Sequence, residues 1–163
     1  MIDKTHLIGL GNYIEMSRDP EFWNAFRNSI VYSVCFVPFV MAAGLLLAVL
    51  VNQKIHFRNG IRAMIFMPYV SNMVAIAIVW SILLDPVDGI VNQTLRALGF
   101  TNAPMWLMGS KTALYSVVMI AVWREVGLQF VTYLAALQEV PTELKEAAQI
   151  DGAGRFQQFI YVT

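Results

Sequence analysis

Positions 30–51 form one almost unbroken apolar run, interrupted only by Ser33, Pro38 and Gly44. A run of this length has few ways to fold. Hydrocarbon offers the backbone no hydrogen bonds, so a segment that crosses it must satisfy its own N–H and C=O groups, as a helix does. About 20 helical residues cross the ~30 Å core of a bilayer, and this run is long enough. Two further stretches of the same kind follow at 63–84 and 112–136. With 58% hydrophobic residues against 13% charged, the chain is far from the usual soluble mixture. It reads as an all-α integral membrane protein, a helical bundle of several spans.

The connections hold most of the polar chemistry. Residues 52–62 carry Lys54, His56, Arg58 and Arg62 and no acid, which predicts a cytoplasmic position. Residues 85–111 are rich in turn signals: Asp85-Pro86, Asp88-Gly89, Gly99 and Ala103-Pro104 surround a short amphipathic piece at 91–98. They read as an extracytoplasmic loop, with Met105 and Trp106 near the interface. The N-Q-T at Asn92 matches a glycosylation acceptor pattern. Residues 1–29 are punctuated by Gly9, Gly11, Asn12 and Asp19-Pro20 and are expected to form an extracytoplasmic or interfacial loop with one helix. Asp19-Pro20-Glu21 is a good start for that helix, and Phe22, Trp23 and Phe26 would edge it. The polar start lacks the apolar core of a signal peptide. The division is then 1–29 interfacial, 30–140 transmembrane and 141–163 cytoplasmic. Charge totals do not decide orientation. Lys54, Arg58, Arg62, Lys145 and Arg155 fall on one side and Lys4, Arg18, Arg27, Arg96 and Lys111 on the other, five against five.

Composition excludes several functions. Eleven basic and 11 acidic residues leave a formal net charge of zero, so no global field attracts nucleic acid. Cys35 is the only cysteine and cannot form an intrachain disulfide. His6 and His56 lack metal-ligand spacing. No phosphate-binding loop, nucleophile elbow or zinc-protease motif occurs, so neither a cofactor nor an intrinsic enzyme activity is expected.

Inside the spans a few residues stand out. Pro68 cannot donate its backbone hydrogen bond and predicts a kink beside Tyr69, Ser71 and Asn72, whose side chains, a neighbouring helix or water would satisfy the freed backbone. Arg124 and Glu125 lie near the middle of the third span, where charge is costly and faces protein, a cavity or another charge. Adjacent helical positions do not face each other, so a single simple salt bridge between these two is not expected, and each needs its own partner. They either lock the helix to neighbours or line a solute path. Tyr69, Trp80, Trp106 and Trp123 offer faces that suit sugar rings and equally suit packing between helices.

The last stretch, 141–163, departs from the membrane pattern. Thr142 or the residue before it can cap a short helix with Glu143 and Glu146 in or just beyond its first turn, where the helix dipole favours acids. Leu144, Ala147 and Ala148 share one face, and two alanines there let another surface come close. Gly152, after Asp151, tolerates the left-handed backbone that ends many helices.

This segment resembles the EAA loop of bacterial ABC-importer permeases, whose pattern is E-A-A, three residues, G, then nine residues and an I or V. Glu146, Ala147, Ala148, Gly152 and Val162 fill those positions. The D-G-A of Asp151, Gly152 and Ala153 is most similar to the carbohydrate-uptake branch. Earlier blocks resemble the family too: G-L-G-N-Y, then D-P-E-F-W-N-A-F-R-N-S, then F-M-P-Y-V in place of F-L-P-Y-V. Trp123-Arg124 fits the family's aromatic and basic pair, whereas Glu125 is a departure. The family continues into L-P and further helices after the EAA loop and has a membrane helix before the first block. The resemblance therefore implies a permease bundle incomplete at both ends.

The same resemblance implies a bacterial inner-membrane location, where the Asn92 pattern has no meaning. It also implies a second permease subunit, cytoplasmic ATPases that dock on the EAA helix, an extracytoplasmic solute-binding protein and a sugar-like solute. The alternative is a membrane scaffold that uses the same helix without a pore. On the permease reading, Glu143, Leu144, Glu146, Ala147, Ala148, Asp151, Gly152 and Ala153 couple to the ATPase, and Tyr69, Asn72, Trp123, Arg124 and Glu125 are candidates for the solute path.

Overall fold

The computed structural model describes residues 9–53, 57–100 and 102–162. Lys4, His6, Lys54, His56 and Thr163 lie outside these residues. The described residues form α1 (Gly11–Arg18), α2 (Pro20–Asn52), α3 (Arg58–Val70), α4 (Met73–Leu83), α5 (Ile90–Ala97), α6 (Ala113–Glu139), α7 (Thr142–Ile150) and α8 (Arg155–Tyr161), with a 3₁₀ turn at Trp106–Met108. The architecture is all-helical, as the apolar runs predict.

Helix α2 starts where Asp19-Pro20-Glu21 predicts: Asp19 Oδ1 accepts from the Glu21 N–H at 2.8 Å, and proline takes the first helical position. The interfacial helix and the first apolar run are one element, not two. Its 33 residues extend for about 50 Å, well beyond a hydrocarbon core. The segment around Gly11 and Asn12, expected as loop, is the first turn of α1. Trp23 Nε1 ties α1 to α2 by donating to the Ser17 carbonyl at 2.8 Å. Within α2 the hydroxyls of Ser29 and Ser33 bond back to the carbonyls one turn earlier, so neither needs a partner outside the helix.

The stretch expected as a second span is broken. α3 and α4 meet at 96°. Pro68 does not mark the bend itself, because α3 runs through it to Val70. The turn falls at Ser71 and Asn72, where side chains take over from the lost helical bonds. Ser71 Oγ donates to the Met67 carbonyl at 2.8 Å, and Asn72 Oδ1 caps α4 by accepting from Val74 and Ala75 at 2.8 and 3.3 Å. Among the described residues two helices, α2 and α6, are each long and apolar enough to cross a membrane, and the bent pair counts as a third if taken as one span.

α6 is the centre against which α2 and α3 pack. α2 and α6 run in the same direction: a Cβ on Gly44 would lie 2.6 Å from Gln129 Cβ, and further along Ala48 and Val51 cluster with Phe130, Leu134 and Leu137. α3 crosses at Gly127, where an added Cβ would stand 2.7 Å from the Ile65 carbonyl oxygen. Small residues let membrane helices approach this closely. Because α2 and α6 are parallel, the chain after α2 and the chain after α6 emerge at one end of the bundle. Phe159 of α8 folds back onto that end of the core.

At the opposite end, the described residues of the loop 85–111 form a folded unit. Asn92 is wholly buried; its Nδ2 donates to the Pro86 and Pro104 carbonyls at 3.1 and 3.0 Å, and its Oδ1 accepts from Trp106 Nε1 at 2.6 Å. The N-Q-T side chain is therefore a structural brace. Asp85 Oδ1 accepts from the Val87 and Asp88 N–H groups, both at 2.8 Å. The Asp88 and then the Val87 N–H hold its carboxyl below the ordinary range.

Candidate functional site

Two regions gather the residues singled out from sequence. The first lies on α6 at the broken helix. Arg124 and Glu125 do form an ion pair, Nη1 to Oε1, contrary to the expectation that each finds a separate partner. The Cβ directions diverge, but both side chains are long enough to curl together. Glu125 has no other cation among the described residues, so the adjacent guanidinium is the charge available to it. Arg124 also reaches back to α3: its Nη2 approaches the Tyr69 carbonyl at 3.5 Å, and its guanidinium carbon stands 5.8 Å from the Tyr69 ring centre. A cation at the C-terminal end of a helix is favourably placed against the dipole, and over a ring face it gains further. Arg124 thus braces the end of α3 just before the bend. Its Nε is buried and has no partner among the described residues.

The other candidates for the solute path separate by role. Asn72 spends its oxygen on the α4 cap. Trp123 stands edge-to-face with Trp80 at 5.4 Å, which joins α4 to α6. Arg124 and Glu125 border a cleft of about 330 Å³ whose other walls include Tyr32, Met73, Ile76 and Ala77. Tyr69, Asn72 and Trp123 are not among the residues lining it. Sequence reasoning missed Tyr32, whose place in an apolar run gives no sign that α2 brings it to the charged pair.

The second region is α7 and the turn after it. Thr142 is the first helical residue; Pro141 holds the cap position, and no side-chain cap bond forms. The C-terminal end is better defined. The Ala153 N–H donates to the Ala148 carbonyl at 2.9 Å and the Gly152 N–H to the Gln149 carbonyl at 3.1 Å, the double bond pattern of a Schellman turn. Gly152 has φ +83° and open space where a side chain would project. Glycine is required there by backbone conformation and not by crowding. Leu144 and Ala147 are exposed and Ala148 is half-buried. Glu143, Glu146 and Asp151 are exposed, and their side chains make no ion pair among the described residues. α7 therefore presents an uncovered face at the end of the bundle, on a sharply turned element that α8 anchors through Phe159.

Comparison with known proteins identifies the family. Residues 22–163 match the model of the family described as binding-protein-dependent transport system inner membrane component. The chain is 36% identical over 159 residues to the probable ABC transporter permease protein YurN of Bacillus subtilis (strain 168), covering 96% of this chain and 54% of that protein. It is also 36% identical over 157 residues to the lactose transport system permease protein LacF of Rhizobium radiobacter, covering 95% and 52%. The fold matches the crystal structure of a bacterial ABC transporter involved in the import of the acidic polysaccharide alginate, with a TM-score of 0.85 and 25% identity over 98% of this chain and 56% of that one. The chain thus spans about half the length of the curated relatives it matches. It belongs to the binding-protein-dependent transport system inner membrane components, the permeases of ABC importers.

Proposed function

We propose that this chain forms part of the route of a sugar or related solute through the membrane and takes its driving motion from a separate ATPase through α7. The observation that carries the reading is the α7 turn. Its exposed Leu144 and Ala147 face and its left-handed Gly152 stand at the end of the bundle where α2 and α6 both finish. A small-residue face admits a groove to close range, and the turn sets the angle at which the chain leaves it. Partner motion at α7 would then pass directly to α6, the helix against which α2 and α3 pack.

Division 30–140 as membrane core and 141–163 as cytoplasmic coupling segment fits this reading. The sugar class is supported by the relative named for lactose transport and by the alginate importer. The family's dependence on a binding protein supports an extracytoplasmic solute-binding partner, and a second permease would supply the facing half of the route. Arg124 and Glu125 border the cleft that such a route would use, with Tyr69 behind Arg124. The cleft is otherwise largely apolar, so recognition of sugar hydroxyls would draw on the facing subunit as well.

In the assembled transporter, Ala147→Leu and Gly152→Val should leave membrane insertion intact. Leucine at 147 adds bulk to the face that must close on the partner, and valine at 152, where φ is +83°, meets the ~1–2 kcal/mol cost of a β-branched residue at positive φ. Each variant should therefore lower ATPase co-purification, or uptake per ATP hydrolysed in proteoliposomes, by about tenfold. Normal association, hydrolysis and uptake in both variants would remove α7 as the coupling element.

A further inference from the structure

Where α2 and α6 end together, two arginines one turn apart on α3 converge on a single neutral oxygen. With its amide oxygen facing them, Gln138 accepts from Arg58 Nη2 at 2.8 Å and from Arg62 Nη2 at 2.7 Å. Arg58 Nη2 also donates to Asn52 Oδ1 at 3.2 Å. Both Nε atoms are buried and lack a hydrogen-bond partner among the described residues. The one ion pair among those residues is Arg124 with Glu125, so neither guanidinium meets a carboxylate there. Like charges one turn apart repel. Arg58 is moreover the first residue of α3, the positive end of the helix dipole. The connection 52–62 contains no acid, and Lys145 and Arg155 line the adjoining cavity with Asn52. This corner is positive charge held by neutral amides, an arrangement that an anion would complete.

Depth in the bilayer points to the kind of anion. Ile61 and Ile65 of α3 pack on the core, and the apolar stretch begins at Ala63, so Arg58 and Arg62 stand where hydrocarbon gives way to headgroups. Guanidinium groups match phosphate oxygens with paired N–H···O bonds. We propose that Arg58 and Arg62, bridged by Gln138, form a phosphate-oxyanion site filled by the headgroup of an anionic phospholipid. The inference is independent of the solute carried and of the side to which this end faces.

The test is native mass spectrometry of the purified chain released from nanodiscs containing equal amounts of phosphatidylglycerol and phosphatidylcholine. The wild type should retain phosphatidylglycerol over phosphatidylcholine by about thirtyfold, the scale expected of two basic side chains at an anionic surface. Gln138→Glu supplies a carboxylate between the two guanidiniums, so this variant should fold at least as stably and retain the two lipids about equally. Arg58→Gln with Arg62→Gln should abolish the preference as well. No preference in the wild type, or an unchanged preference in Gln138→Glu, overturns the proposal. Excess inorganic phosphate separates the two sources of the oxyanion. Retention of phosphatidylglycerol in its presence supports the lipid site, whereas its displacement, with phosphate alone raising thermal stability in neutral detergent, assigns the site to free phosphate and overturns the lipid assignment.

Discussion

Arg124 is the residue on which the local geometry turns, because it touches three things: the Glu125 carboxylate, the Tyr69 carbonyl and the Tyr69 ring. Removing it leaves Glu125 without a cation and the end of α3 without its brace. Arg124→Leu should therefore destabilise the chain by on the order of 1–2 kcal/mol, less than a fully buried pair would cost because both side chains retain some exposure. Adding Glu125→Gln to that variant removes the orphaned charge and should recover at least half of the loss. Thermal unfolding in detergent measures both, and equal stability of the Arg124→Leu and Arg124→Leu/Glu125→Gln variants would show that the carboxylate left without its cation carries no penalty. In the assembled transporter the single variant should also slow uptake, since the brace stands beside the cleft. That a charged pair within an apolar span would need partners in protein was legible from the sequence. Its partners were not, because side-chain reach on a helix is set by rotamer and by which neighbour lies opposite.

At the scale of elements, close helix approach decides the packing. A Cβ on Gly127 would meet the Ile65 carbonyl oxygen at 2.7 Å and Phe66 Cα at 3.0 Å, both backbone atoms that cannot swing aside. Gly127→Ala should force α3 away from α6 and cost about 1–3 kcal/mol. Gly60→Ala is the matched comparison. Its Cβ would meet only Phe57 Cδ1 at 4.0 Å, so it should be neutral or stabilising by up to ~1 kcal/mol. Thermal unfolding of the two variants should separate them clearly, and equal melting would mean that the crossing tolerates a wider spacing. The break between α3 and α4 was only partly legible. Pro68 flagged the neighbourhood, but the bend follows the residues able to re-satisfy the backbone, Ser71 and Asn72.

For the whole molecule, parallel α2 and α6 bring the connection after α2, the N-terminal end of α3 and the α7 to α8 segment to one end of the bundle, and the loop 85–111 to the other. If the first end is cytoplasmic, cysteines at exposed Asn59 and Ser110, in a Cys35→Ser background, should respond oppositely to a membrane-impermeant thiol reagent on intact cells. Position 110 should label and position 59 should not; the reverse pattern would invert the orientation. Asn92 would not serve as the outer probe, because it is wholly buried.

The sequence by itself determined the class. Apolar runs long enough for hydrocarbon leave the backbone no option but helices, and the E-A-A and D-G-A blocks carry the family resemblance by themselves. It also placed the end of α7, because a glycine after a helical segment is a local backbone requirement that needs no knowledge of distant residues. Only the tertiary structure decided which residues meet. The pairing of Arg124 with its neighbour Glu125 is decided by side-chain rotamer, and the burial of Asn92 by the fold of its own loop. The seating of Arg124 against Tyr69 and the convergence of Arg58 and Arg62 on Gln138 depend instead on helix direction and spacing. Those are set by close contacts at Gly44 and Gly127, whose partners lie far away in the chain, and no periodicity in one segment records what another segment brings against it.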